Sequence, residues 1–143
     1  MEEQLLDTWH IHNRVNLYLL EAVKAEALKA VFGCDVAILK PGEDAEGDLD
    51  DATCKLDDGR FVAYYAFASE PEDAAYAVEA ASAWFYTVLG LYDDKGEFLA
   101  ENDDLGPFDT NSRLDVELKR GVYVAAVSSF DASTGPYRVS VSE

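Results

Sequence analysis

Arg113-Leu114-Asp115-Val116-Glu117-Leu118-Lys119-Arg120-Gly121-Val122-Tyr123-Val124-Ala125-Ala126-Val127 is the stretch whose period decides the fold. Leu114, Val116 and Leu118 alternate with Arg113, Asp115 and Glu117. Lys119-Arg120-Gly121 then supplies a turn, and Tyr123, Ala125 and Val127 resume the alternation. Successive side chains of an extended chain point to opposite faces, so this pattern reads as two strands, each with one apolar face, joined by a hairpin.

The same period runs outward in both directions. Toward the C-terminus, Gly135-Pro136 opens a last strand in which Tyr137, Val139 and Val141 alternate with Arg138, Ser140 and Ser142. Toward the N-terminus, Ala63, Tyr65 and Phe67 alternate, then Tyr76, Val78 and Ala80, then Leu89 and Leu91 in a run ending at Tyr92. Asp93-Asp94-Lys95-Gly96 can make a hairpin with Gly in a left-handed conformation. Strands with one apolar face and regular turn signals predict an antiparallel β-sandwich of seven or eight strands over residues 60–143.

Before residue 60 the pattern changes twice. Residues 33–59 are punctuated by Gly33, Pro41, Gly42, Gly47 and Gly59, with eight acids and one base between Glu43 and Asp58. Val36-Ala37-Ile38-Leu39 suits a short strand, and the remainder reads as an acidic linker or loop. Residues 1–32 form a separate N-terminal unit with no Gly or Pro, stopped by Gly33, and residues 1–31 read as one amphipathic α-helix. Leu5, Trp9, Leu19 and Val23 fall on one stripe and Leu6, Leu17, Leu20 and Leu28 widen it. A helix with so broad an apolar face needs a partner: the sandwich, a second copy or another protein. The fold class is therefore mainly β, an antiparallel sandwich with one N-terminal helix.

Charge excludes some partners. The chain carries 29 acids against 11 bases, a net −18. Nucleic acid is recognised by Lys and Arg replacing counterions, and an anionic membrane repels such a surface, so neither is expected as a partner. No apolar run reaches the ~18 residues of a membrane helix. The acidic start Met1-Glu2-Glu3-Gln4 does not read as a secretory signal. Cys34 and Cys54 lack CxxC spacing or a histidine near in sequence, which argues against zinc. A disulfide and two separate thiols both fit the sequence.

Several motifs, taken in order, resemble the bacterial pre-peptidase C-terminal family over about residues 46–143. They are Leu56-Asp57-Asp58-Gly59-Arg60 with Tyr65-Ala66-Phe67; Leu91-Tyr92-Asp93 with Gly96 and Leu99-Ala100-Glu101-Asn102-Asp103-Asp104; Asn111-Ser112-Arg113-Leu114 with Gly121-Val122-Tyr123; and Thr134-Gly135-Pro136-Tyr137-Arg138-Val139-Ser140-Val141. The resemblance implies a jelly-roll-like sandwich and a non-catalytic accessory module of the kind appended to secreted bacterial proteases, serving substrate attachment or secretion. It also implies an extracellular location. Some relatives hold calcium on acids of the segment before the sandwich; here that segment offers Glu43, Asp44, Glu46, Asp48, Asp50 and Asp51 without the family's Asn-Asp pair. At the other end, Thr8-Trp9-His10-Ile11-His12-Asn13-Arg14-Val15-Asn16-Leu17-Tyr18-Leu19-Leu20-Glu21-Ala22 is similar to the first helix of the DinB-like four-helix bundle family. That family's metal histidines come from later helices, so no metal role passes to His10 or His12.

The residues themselves offer two candidate sites and no catalytic one. His10 and His12, at i and i+2 of a helix, point roughly 200° apart and cannot share a metal. With no G-x-S-x-G and both histidines on a separate helix, no nucleophile–base pair is assembled, and an enzyme is not expected. Glu101, Asn102, Asp103 and Asp104 form the sharpest polar cluster, a candidate calcium site set against the plainer reading that these residues bond their own turn. Calcium is the one cofactor in question, and none is required. Trp84, Phe85, Tyr86 and Tyr92 surround one strand: Trp84, Tyr86 and Tyr92 are candidates for a protein- or polymer-binding face, set against simple core packing. Two rival functions stand beside the accessory module. One is an intracellular, cytoplasmic protein self-associating through its helix, and the other is a calcium-dependent adhesion module.

Overall fold

A computed structural model describes residues 26–50, 53–69, 74–103 and 111–143. Residues 26–32 are helical (α1). Among the described residues ten strands follow: β1 (Val36–Ile38), β2 (Asp44–Leu49), β3 (Cys54–Lys55), β4 (Phe61–Ser69), β5 (Ala74–Ala81), β6 (Thr87–Asp93), β7 (Phe98–Asn102), β8 (Ser112–Leu118), β9 (Gly121–Ser129) and β10 (Gly135–Ser142). The helix reading of residues 1–25, with the DinB-like stretch and both histidines, lies outside the described residues.

The strands make two sheets. One has the order β1-β4-β9-β6-β7, with β3 also on β4, and the other β2-β10-β5-β8. Leaving aside the short β1 and β3, the pairing is nested: β2 with β10, β4 with β9, β5 with β8, and β6 with β7. All four pairs are antiparallel. A long hairpin wound on itself gives this order, and β10–β5 and β9–β6 are the seams where its turns meet. This is a jelly roll, which covers two apolar sheet faces with one another.

The decisive stretch behaves as its period demands. Leu114 and Leu118 are buried while Arg113, Asp115 and Glu117 face solvent. The Tyr123 hydroxyl donates to the Lys119 carbonyl at 2.8 Å, fixing the β8–β9 turn. At the β6–β7 hairpin the Asp93 carboxylate accepts the amides of Lys95 and Glu97 at 2.8 and 2.9 Å, and Gly96 takes a φ of +86°. Between the sheets, Tyr65 of β4 and Tyr137 of β10 join hydroxyl to hydroxyl. Burial holds both phenols in their neutral form.

Two sequence expectations need correction. Residues 33–59 are not only linker, for they contribute β1, β2 and β3, and β2 is the strand that pairs the last strand of the roll. Asp44, Glu46 and Asp48 of β2 are exposed and alternate with Ala45, Gly47 and Leu49. The period of two was present but hidden by small inward residues. A Cβ on Gly47 would lie 2.5 Å from Tyr137 Oη, so the space a side chain would fill belongs to that phenol.

The second correction concerns β4 and β9, which are apolar on both faces. Phe61, Tyr65 and Phe67 enter the inter-sheet core, whereas Val62, Tyr64 and Ala66 form a second cluster on the outside with Val124, Ala126 and Leu28. Leu28 of α1, 1% exposed, covers this outer face. Uninterrupted apolar strands are those buried on both sides. Gly33, with φ +74°, ends α1 by donating its amide to the Lys29 carbonyl at 2.8 Å. Cys34 and Cys54 form a disulfide with Cα atoms 6.1 Å apart. It joins the segment leading into β1 to the first residue of β3, and these two strands occupy one edge of β4 in succession.

Candidate binding face

The loop between β5 and β6 carries an alternation of its own. Phe85 turns into the core, while Trp84 and Tyr86 on either side are 71% and 53% exposed. The core-packing reading therefore holds for Phe85 and fails for its neighbours, because the loop keeps the two-residue period of the strand it leads into. Trp84 lies beside an open groove of about 690 Å³ whose walls include Glu46, Asp48, Asn111, Pro136 and Arg138. Most of these come from the neighbouring ends of β2 and β10, with Gly47 facing Tyr137 and Asp48 facing Pro136.

The backbone under Trp84 is braced from three directions. The Ser82 hydroxyl donates to the Pro136 carbonyl at 2.8 Å and accepts the Trp84 amide at 3.0 Å. The Ser82 amide in turn donates to Asn111 Oδ1 at 3.2 Å. Gly135 has a φ of +142°, and a Cβ there would sit 2.8 Å from Trp84 Cβ, so only glycine lets β10 begin beneath the indole. Beside it the Phe130 amide donates to the Tyr86 carbonyl at 2.9 Å, and Phe130 is 62% exposed. Three large aromatics are thus held out to solvent at one end of the roll, where water contact with apolar surface is unfavourable.

Charge in the groove is already partly matched. Arg138 donates to Glu46 at 3.0 Å and lies 3.6 Å from an Asp44 oxygen. The bond to Glu46, and then the nearby Asp44 charge, hold its guanidinium all the more firmly protonated. Among the described residues the Asp48 carboxylate has no ion-pair partner, although it faces the same groove. The arrangement can stack against a flat or cationic group and bond to it.

Tyr92 does not belong to this face. It lies at the far end of β6, roughly 20 Å along a strand of that length. There it packs edge-on against Phe32 of α1 and Phe98 of β7. Burial raises its phenol pKa, with Glu101 adding to the effect and Arg60 opposing it.

The candidate calcium cluster is partly committed to structure. Asn102 Oδ1 accepts the Arg113 amide at 3.2 Å, bridging β7 to β8, while Glu101 and Asp103 are exposed. Asp104 lies outside the described residues. In the acidic segment, Asp44 and Glu46 serve Arg138, and an Asp50 carboxylate oxygen accepts the Thr53 hydroxyl at 3.2 Å. Among the described residues no three His, Cys, Asp or Glu side chains gather closely enough to hold a metal ion. Asp51, another acid of that segment, lies outside the described residues, as Asp104 does.

Sequence reasoning picked out Trp84 and Tyr86 but missed Phe130, Ser82, Asn111 and the outward side of β2. Asn111 and Gly135 do lie inside the motifs that carried the family resemblance, so those motifs hold the frame of the groove.

The fold defines the class, a two-sheet jelly-roll module. Within that class, the pre-peptidase C-terminal domain of a Bacillus anthracis collagenase superposes with a TM-score of 0.59 at 15% identity, over 76% of this chain and 95% of that domain. CorA of Methylomicrobium album BG8, described as a surface-associated copper-binding protein, superposes with a TM-score of 0.53 at 6% identity, over 76% and 97%. No protein-family model and no curated protein matches the sequence. The chain thus has the fold of the pre-peptidase C-terminal domain, as its motifs implied; at these identities the likeness is one of fold. Among the described residues no helix is long and apolar enough to cross a membrane.

Proposed function

We propose that this chain is a non-catalytic binding module that attaches an exported protein to a protein or polymer substrate through the groove beside Trp84. The observation that carries the reading is the bracing of the backbone that presents an exposed indole. Ser82, Asn111 and Gly135 fix the loop that presents Trp84, so little conformational freedom is lost when a ligand stacks on it. An aromatic that served only the core would not need to be held outward. The disulfide supports an oxidising, extracytoplasmic setting, because such bonds persist there and are rare in the cytosol.

The test is depletion of the full chain from solution by insoluble gelatin, casein, cellulose and chitin, comparing the native sequence with Trp84→Ala. Aromatic anchors at interface centres contribute about 2 kcal/mol or more, so the variant should bind at least one retained matrix about 30-fold more weakly with an unchanged melting temperature. Binding that ignores Trp84, or no depletion by any matrix, overturns the reading.

A further inference from the structure

We propose that the groove recognises a cationic side chain, a Lys or Arg carried on an extended protein segment, seated between the Trp84 indole and the Asp48 carboxylate. This rests on the binding reading above and narrows it to one ligand class. Three observations carry it.

The first is how charge is distributed in the groove. Arg138, the one base among the described residues that line it, is neutralised by Glu46 at 3.0 Å and Asp44 at 3.6 Å. Asp48 lines the same groove without an ion-pair partner among the described residues, so the site has a carboxylate to spare and no cation to spare. The second is the indole. At 71% exposure Trp84 leaves much of its surface open, and the electron-rich face of Trp is the best side-chain partner for a cation. The third is the whole-molecule charge of −18, which raises the local concentration of cationic ligands and opposes anionic ones. An open groove of about 690 Å³ bounded by strand ends suits an extended chain laid across it better than a small molecule enclosed on all sides. A neutral polysaccharide would also stack on Trp84, but it would have no use for the unmatched Asp48 charge.

The experiment uses the full chain carrying Trp9→Phe, so that Trp84 is the single tryptophan and its fluorescence reports the site. The probes are a peptide of alternating Lys and Gly, the same peptide with Glu for Lys, and cellohexaose, each followed by calorimetry and, in chains that keep Trp84, by fluorescence. The expected result is binding of the Lys peptide alone, weakened at least tenfold by Asp48→Asn and by Trp84→Leu.

Glu117→Gln, which removes the same charge from the exposed side of β8, should change affinity less than twofold. Asp48→Asn behaving like Glu117→Gln would reduce the effect to the general field and overturn the proposal. Trp84-dependent binding of cellohexaose without the Lys peptide would overturn it too, yet leave the binding-module reading standing. If no probe binds, this proposal falls, and the matrix depletion decides the broader reading separately. Trp84→Leu changes an exposed side chain, and an unchanged melting curve confirms that any loss is at the site.

Discussion

Gly47→Ala should destabilise the roll although it adds a single methyl group to an edge strand. The added Cβ would lie 2.5 Å from Tyr137 Oη and 2.8 Å from its Cζ, both closer than real Cβ contacts come. Tyr137 cannot swing aside: its ring is buried, packed edge-on against Tyr65 at 6.2 Å, and its hydroxyl is bonded to that residue's. Overpacking a fixed core costs about 1–3 kcal/mol, and disturbing the phenol pair adds about 1 kcal/mol. Replacing a strand glycine returns about 0.5–1 kcal/mol through the unfolded chain. The net loss is about 2 kcal/mol, or roughly 7 °C in melting temperature for a chain of this size. Urea unfolding followed by far-UV circular dichroism measures it directly. Tyr137→Phe in the Gly47→Ala background should recover part of the loss, because it removes the nearest clashing atom but not Cζ. An unchanged or raised urea midpoint for Gly47→Ala would refute the claim that Tyr137 occupies the glycine's side-chain space.

Reducing the Cys34–Cys54 bond, or replacing both residues with Ser, should cost about 3 kcal/mol, the loop-closure value for a 20-residue separation; a melt with and without dithiothreitol checks it, and coincident curves sink it. Deleting residues 1–32 uncovers Val62, Tyr64 and Val124, so the β-sheet signal should persist while the melting temperature falls and a hydrophobic dye binds; an unshifted melt would mean that α1 covers nothing of consequence. The Asp58, Asp93 and Asp131 carboxyls are held below their usual range, the first two chiefly by backbone amides and the third chiefly by the Ser133 hydroxyl. Their stabilisation is therefore present above the unfolded carboxylate pKa of about 4 and is lost as pH falls through the lower folded values; urea midpoints down an acid series should decline less in Asp93→Asn than in the native chain. Replacing EDTA with calcium at fixed ionic strength should leave the melt in place, since Asn102, Asp44 and Glu46 already have partners; a clear rise would show the acids regrouping around the ion.

The core was legible wherever one residue in two was large and apolar. Leu114, Val78, Val127 and Val139 all lie where the alternation put them. It was illegible where the inward residue was small or the outward one apolar. β2 presents Ala45 and Gly47 inward, so its acids dominated the reading and the strand looked like a linker. Tyr64 and Val124 face outward yet are buried, because α1 covers them; which side of a doubly apolar strand meets the other sheet is a tertiary fact. The candidate face was legible as a list of aromatics but not as a place. Tyr86 and Phe130 are 44 residues apart and meet through a backbone bond between two loops, which no local pattern encodes. Tyr92 looked like a companion of Trp84 in sequence and sits instead at the opposite end of its strand.

The two outer faces of the roll are finished in different ways, and the difference bears on function. The outer face of the β4–β9 sheet is apolar and is closed by α1, with the disulfide holding the chain that leaves it. Among the described residues no element covers the outer face of the β10–β5 sheet. It has small residues at Ala77, Ala81 and Ser140, and its flanking charges are matched in place, Arg113 with Glu79 at 2.8 Å and Arg138 with Glu46 at 3.0 Å. A face built only to stay hydrated has no need to bring its charges together, since exposed pairs add little stability. Matching them lowers what must be desolvated when another molecule lies against the sheet, and the small residues let it approach the backbone closely. Trp84 stands at the end of this open face rather than on the closed one. A ligand laid along β10 would meet matched charges first and then the indole and Asp48, the two groups with surface and charge still to offer.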